Sequence, residues 1–157
     1  MKFDQFQLLV KNVLSEKGTA ADSLQPDRLH PLVLAYIGDA YYTLYVRTRL
    51  LNYEQNRVRV LHTFDSKIVS ATMQAFVIRT LEHELTDSET DVVRRGRNAK
   101  SSPTKNASVG DYRYSTGFEA LIGYLLLTEN HSRLAELAEK GFAAAMRKLN
   151  GNEQEQG

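Results

Sequence analysis

Cysteine is absent from this 157-residue chain, and so is tryptophan. Without thiols there is no disulfide framework, no thiolate nucleophile and no Cys-ligated zinc, a composition that suits a reducing compartment. Proline and glycine are scarce, at three and nine residues. With so little turn punctuation, hairpin-rich β folds are disfavoured and an all-helical fold is expected. Long apolar runs are missing as well. No stretch reaches the ~18 residues of a membrane span, and the opening MKFDQFQLLVKNVLSEK places an Asp and a Gln where the apolar core of a signal peptide would lie. The expectation is a soluble, cytoplasmic protein with no membrane segment. An excess of one charge is lacking too. Twenty Lys and Arg against 19 Asp and Glu leave a formal net charge of +1, so any attraction for a polyanion must be local.

What is present is ordinary globular material, 42% hydrophobic and 25% charged, at a length typical of one domain. Phe3, Phe6, Val10, Val13 and Leu14 recur at helical spacing and predict a helix over 3–17, with Gly18 as its stop. The stretch TAADSLQPDRLH reads as a linker, and Pro31 suits the first turn of a helix running to Leu51. Two further helices are expected over 56–64 and 66–85. Thr86 with Glu89 makes a capping box for a polar helix toward Gly96. After the loop RNAKSSPTKNASVGDYR, helices are expected over 112–127 and 132–149. Residues 1–150 thus read as one domain and GNEQEQG, 151–157, as a disordered tail.

Two carboxylates stand out. From Pro31 to Val46 every residue is apolar, aromatic or small except Asp39 and Thr43, and a helix apolar all round is one that neighbours enclose. An unpartnered carboxylate there would cost several kcal/mol or more, roughly. Gly38 sits beside it, and Gly inside a helix costs about 1 kcal/mol relative to Ala, which signals close approach of another backbone. The same grammar recurs in TGFEALIGYLLL, 116–127, where Glu119 is the only charge and Gly123 follows one turn later. One reading pairs each acid with an arginine such as Arg47, Arg57 or Arg113 to fix helix packing. The other makes the two acids an oxygen-ligand site for Mg²⁺, an ion that takes one or two carboxylates, waters and a substrate phosphate.

Other chemistries find little support. His30, His62, His83 and His131 form no His-x-x-x-His pair, Ser101 and Ser102 lie in a polar loop without a strand-elbow signal, and no Gly-rich phosphate loop occurs. Between Asp91 and Asp111, by contrast, lie five cations and no acid: Arg94, Arg95, Arg97, Lys100 and Lys105, interleaved with Asn98, Asn106, Ser101, Ser102 and Thr104. Such a strip is either a solvated face or a hold for a phosphate backbone placed just before the Glu119 helix.

These stretches together resemble a known family. LAYIGDAYY (34–42) is similar to the signature helix of the ribonuclease III family and FEALIGYLLL (118–127) to its second acidic helix; RRGRNAKS and YRYSTGFEALIGYL resemble its short bacterial branch more narrowly. The resemblance covers about residues 28–145. It implies an all-α endonuclease domain, a helical bundle working as a homodimer, that cuts both strands of double-stranded RNA with Mg²⁺ and leaves 5′-phosphates. Asp39 and Glu119 match the family's catalytic, metal-binding acids. Ala35 and Thr116 stand where two more acids would be expected, so waters or substrate phosphate would complete the coordination. Only about eight residues follow the last expected helix, so the catalytic domain is expected to hold its own RNA through Arg94, Arg95, Arg97, Asn98, Lys100 and Lys105. The short branch further implies precursor 23S ribosomal RNA as substrate, with a ribosomal protein as a candidate partner. The rival is a non-catalytic RNA-binding or ribosome-associated protein of the same fold, against which the retention of both acids argues.

Overall fold

A computed structural model of the chain describes residues 3–15, 24–100, 102 and 107–154. Those residues form seven α-helices and no strand: α1 (Phe3–Leu14), α2 (Pro31–Leu50), α3 (Val58–Ile68), α4 (Ala71–Leu81), α5 (Asp87–Asn98), α6 (Val109–Leu127) and α7 (His131–Gln154). The all-α expectation holds. Pro31 opens α2, where its missing N–H costs nothing, and His30 Nδ1 accepts from the Leu32 N–H at 3.2 Å. The Thr86–Glu89 capping box is formed in full. Ser108 caps α6, which therefore starts three residues before the expected 112.

Three boundaries differ from expectation for local reasons. The expected break near residue 65 falls instead at Val69 and Ser70, because the Ser70 side chain accepts from the Met73 N–H and starts α4 there. Gly96 does not stop α5, which runs on to Asn98; it lies against α6, where a Cβ would stand 2.8 Å from the Gly117 Cα. The last helix continues to Gln154, four residues into the segment read as a tail, while 155–157 lie outside the described residues. Gly18 and the first part of the linker, 19–23, also lie outside them, while its second part holds a short 3₁₀ turn, Pro26–Arg28.

α6 is the axis of the bundle. α2, α4 and α5 pack around it, α7 closes against α4 and α6, and α3 bridges α2, α4 and α7. Tyr42 and Phe118 meet edge to face at 4.8 Å in the core, among Leu34, Ile78, Leu121 and Ile122. Burial of such side chains contributes about 1.5–3 kcal/mol each. The far end is tied by Glu89, which serves the capping box and also takes Arg133 at 2.9 Å, and by a two-bond pairing of Arg49 with Glu139. Against this order α1 presents Phe6, Val13 and Leu14 to solvent.

The expectation that neighbours enclose α2 is not met. Leu34, Ala35, Gly38, Tyr42, Val46 and Leu50 face inward, but Val33, Tyr36, Asp39, Ala40 and Leu44 are exposed, Tyr36 at 77% and Leu44 at 62%. Positions 33, 36, 40 and 44 share one helical stripe. The uniformly apolar sequence arises because that outward stripe is apolar too.

Candidate active site

The site is built on a crossing of two backbones. A Cβ on Gly38 would stand 1.7 Å from the Glu119 carbonyl oxygen, and one on Gly123 would stand 2.0 Å from the Leu34 carbonyl oxygen. Only hydrogen fits at either position, which is the close approach that the two glycines signal in the sequence. Asp39 follows Gly38 and Glu119 precedes Gly123 by one turn, so the same crossing brings the two acids together.

Their environments are unlike. Asp39 is exposed on α2, whereas Glu119 is half-buried on α6. Burial pushes the Glu119 carboxyl up to about 8, the Asp39 charge adds to the rise, and a hydrogen bond from the Gln74 side chain opposes it. Neither acid takes part in an ion pair among the described residues: Arg47 holds Asp65 at 2.6 Å and Arg57 holds Glu54. The arginine-pairing reading therefore finds no partner at those two positions. Ala35 and Thr116 supply no further carboxylate. Ala35 is buried in the core, and the buried Thr116 donates its hydroxyl to the Tyr112 carbonyl at 3.0 Å. Among the described residues no group of three or more His, Cys, Asp or Glu gathers around a common point.

The basic strip does not form one face. Arg94 and Arg95 both pair with Asp91, and Arg95 also donates to the Asp27 carbonyl at 3.4 Å. Arg97 turns across Gly117 and sets its guanidinium 4.0 Å from the centre of the Tyr114 ring. Arg79 from α4 lies against the same ring at 4.2 Å while pairing with Asp111 at 2.9 Å. Asn98 and Lys100 are exposed, and Lys105 lies outside the described residues.

Sequence reasoning misses Arg79 and Tyr114, because their link to Arg97 spans three helices. It also misses Gln74, whose signal is an amide on the inward face of the apolar run ATMQAFVI.

Residues 32–130 match the family model described as Ribonuclease III domain. Of the curated relatives, the Mini-ribonuclease 3 of Brevibacillus brevis is 47% identical over 119 residues, 75% of this chain and 89% of that protein. That of Symbiobacterium thermophilum is 49% identical over 115 residues, covering 73% and 88%. The chain belongs to the ribonuclease III family, in its Mini-ribonuclease III branch. It is accordingly an endoribonuclease of the ribonuclease III type, a hydrolase acting on RNA. A crystal structure of a Fusobacterium nucleatum protein superposes with a TM-score of 0.66 at 23% identity, over 71% of this chain and 90% of that one, and bears on the fold alone. Among the described residues no helix is long and apolar enough to cross a membrane.

Proposed function

We propose that this Mini-ribonuclease III cuts both strands of double-stranded RNA with Mg²⁺ held by Asp39 and Glu119, as a cytoplasmic homodimer whose catalytic unit is residues 1–150. The meeting of two carboxylates at the glycine crossing, with no ion-pair partner among the described residues, carries the reading. The donor set fits a hard cation. It is all oxygen, and two acids leave room for the waters and phosphate oxygens that Mg²⁺ prefers. When bound, Mg²⁺ would activate a water and stabilise charge on the scissile phosphate. Asp39 offers that ion an open carboxylate, and Glu119 an enclosed one whose ionised form a cation would stabilise.

The apolar stripe of Val33, Tyr36 and Leu44 flanks Asp39 and supports self-association through α2. Each active site would then lie beside the partner's. Arg97, Asn98 and Lys100 are best placed to grip phosphates, since Arg94 and Arg95 share Asp91. Within duplex RNA, precursor 23S ribosomal RNA is the substrate we assign, on the likeness of RRGRNAKS and YRYSTGFEALIGYL to the short branch. A ribosomal protein remains the candidate accessory partner.

Incubation of the pure protein with an RNA duplex in Mg²⁺, in Ca²⁺ and in chelator tests the reading. Paired cuts with 5′-phosphate ends are expected in Mg²⁺ alone, and Asp39→Asn should abolish them while keeping the fold. Near-normal turnover by Asp39→Asn would remove the metal-ligand role. Neutralising Arg97 and Lys100 together should flatten the salt dependence of RNA binding by about 0.9 log–log unit for each phosphate no longer neutralised, if duplex DNA is a fair guide. An unchanged slope would return the strip to a solvated face.

A further inference from the structure

The basic strip holds its arginines in two ways. Arg94 and Arg95 are fixed by a carboxylate, Asp91, which offsets their charge as it orients them. Arg97 is fixed by a ring. Its guanidinium carbon lies 4.0 Å from the centre of Tyr114, and its Cγ packs over Gly117, where a Cβ would stand 3.0 Å from it. Arg97 enters no ion pair among the described residues: Asp91 serves Arg94 and Arg95, and Asp111 takes Arg79 at 2.9 Å. An aromatic face attracts a cation through its quadrupole but brings no net negative charge. The ring therefore orders the Arg97 guanidinium and leaves its charge and N–H groups for another partner. Arg79 reaches the same ring from α4, at 4.2 Å. Two cations gathered on one ring repel each other, and an anion arriving beside them relieves that repulsion.

The four side chains form a line of supports across three helices. Asp111, in the first turn of α6, holds Arg79; Arg79 lies on the Tyr114 ring; and the ring carries Arg97 from α5. We infer that Tyr114 is a positioning residue for RNA: its ring holds the Arg97 guanidinium ready for a backbone phosphate without cancelling its charge. This rests on the reading of Arg97 as a phosphate grip. Tyr114 lies five residues before Glu119 on α6, about 7.5 Å along the helix axis, so the grip and the enclosed acid ride on one helix. Immobilising a long side chain on binding costs roughly two- to tenfold in affinity, and a guanidinium already ordered avoids most of that loss. An arginine ordered by an acid would first have to give its partner up.

The rival role is packing. On that view Tyr114 only closes the edge of the core it touches, and the two arginines merely cover it. Tyr114→Leu keeps an apolar side chain and removes the aromatic face, whereas Tyr114→Phe keeps the face and removes the hydroxyl. Binding of an RNA duplex in Ca²⁺, read by fluorescence anisotropy across a salt series and well below each melting temperature, separates the roles. Tyr114→Leu should bind about fivefold more weakly with an unchanged salt slope, because no charge has been removed. Tyr114→Phe should bind like the wild type. Full affinity in Tyr114→Leu, whatever its melting temperature, would leave only packing, and an equal loss in Tyr114→Phe would move the effect to the hydroxyl and overturn the inference. Arg97→Gln run beside them separates the two levels: it should lose affinity and about 0.9 log–log unit of slope, if duplex DNA is a fair guide. If Arg97→Gln keeps both, the phosphate-grip reading itself falls. If it loses both and Tyr114→Leu loses nothing, only the role of Tyr114 falls. The unaltered protein supplies a check that needs no variant to fold. In its NMR spectrum the Arg97 Cδ protons should lie upfield, shifted by the ring, and should stay there when the duplex is bound; their return to ordinary positions on binding would mean that the ring lets the arginine go, and the inference would fail.

Discussion

α2 and α6 are nearly the same helix on paper and opposite kinds of helix in the fold. They have 20 and 19 residues, each carries one mid-helix acid, and each has one glycine where the other passes. α6 is enclosed, with Ser115 to Phe118, Ala120 to Gly123 and Leu125 all buried. α2 is enclosed on one side only and turns Val33, Tyr36 and Leu44 outward. An apolar sequence says that a surface will be covered; it does not say by what. For α6 the cover is the chain itself, and for α2 we propose a second copy. The two acids inherit this difference, Asp39 open to solvent and Glu119 pressed into the crossing.

The largest effect should come from closing the crossing that the two helices share. Gly38→Ala gains up to about 1 kcal/mol of helix propensity, yet its Cβ meets the Glu119 carbonyl oxygen at 1.7 Å. Backbone cannot swing aside as a side-chain tip can, so a loss of at least about 3 kcal/mol is expected, at the upper end for overpacking. Gly123→Ala should behave alike, its Cβ meeting the Leu34 carbonyl oxygen at 2.0 Å. Urea melts check both. Gly110, where the nearest atom to a Cβ is 3.9 Å away, is the control that should tolerate Ala. If Gly38→Ala melted like the wild type, the crossing would not be what brings the acids together.

A smaller effect on the folded chain should come from the face that only α2 leaves open. Leu44→Lys changes a side chain that is 62% exposed, so the stability of the single chain should move by no more than about 0.5 kcal/mol. Self-association should weaken at least tenfold, because a lysine ammonium resists desolvation in an apolar interface. Analytical ultracentrifugation over a concentration series reads this directly. A Leu44→Lys protein that dimerises normally would mean that the stripe is covered by something other than a second copy.

How much of this was legible follows the range of each signal. Helical periodicity and the Thr86–Glu89 box are local, and the elements they predict are present. The glycines were legible as close approach because only backbone contact explains them mid-helix. Ser70 was harder to read, since a capping serine inside a continuous apolar period looks like one more small helical residue. Gly96 read as a stop because its use, packing on Gly117, depends on a helix thirteen residues further on. The strip read as one surface because charges adjacent in sequence fan out by about 100° per residue on a helix. That rotation sends Arg95 toward Asp27 and Arg97 toward Tyr114. The open stripe of α2 left no trace in composition, because an interface between chains and a core within one select the same side chains.

The finest distinction between the two helices concerns the enclosed acid of α6. The Glu119 carboxyl, with an ordinary value of 4.5, is pushed up to about 8, first by burial and then by the Asp39 charge. Below the ordinary value the folded and unfolded chains both hold that proton, and its contribution favours the fold most. Between about 4.5 and 8 the unfolded chain gives the proton up while the folded chain keeps it. Stability must therefore fall as pH rises through that window and level off above it. Glu119→Gln, which cannot titrate, should flatten this part of the metal-free profile. Asp39→Asn should narrow the window from its upper end, since it removes the neighbouring charge but leaves the burial. Thermal melts of the three proteins in chelator, from pH 5 to pH 9, read both effects. An Asp39→Asn profile with the same upper limit as the wild type would mean that the two carboxylates do not feel each other across the crossing, and the case for one cation between them would lose its electrostatic support.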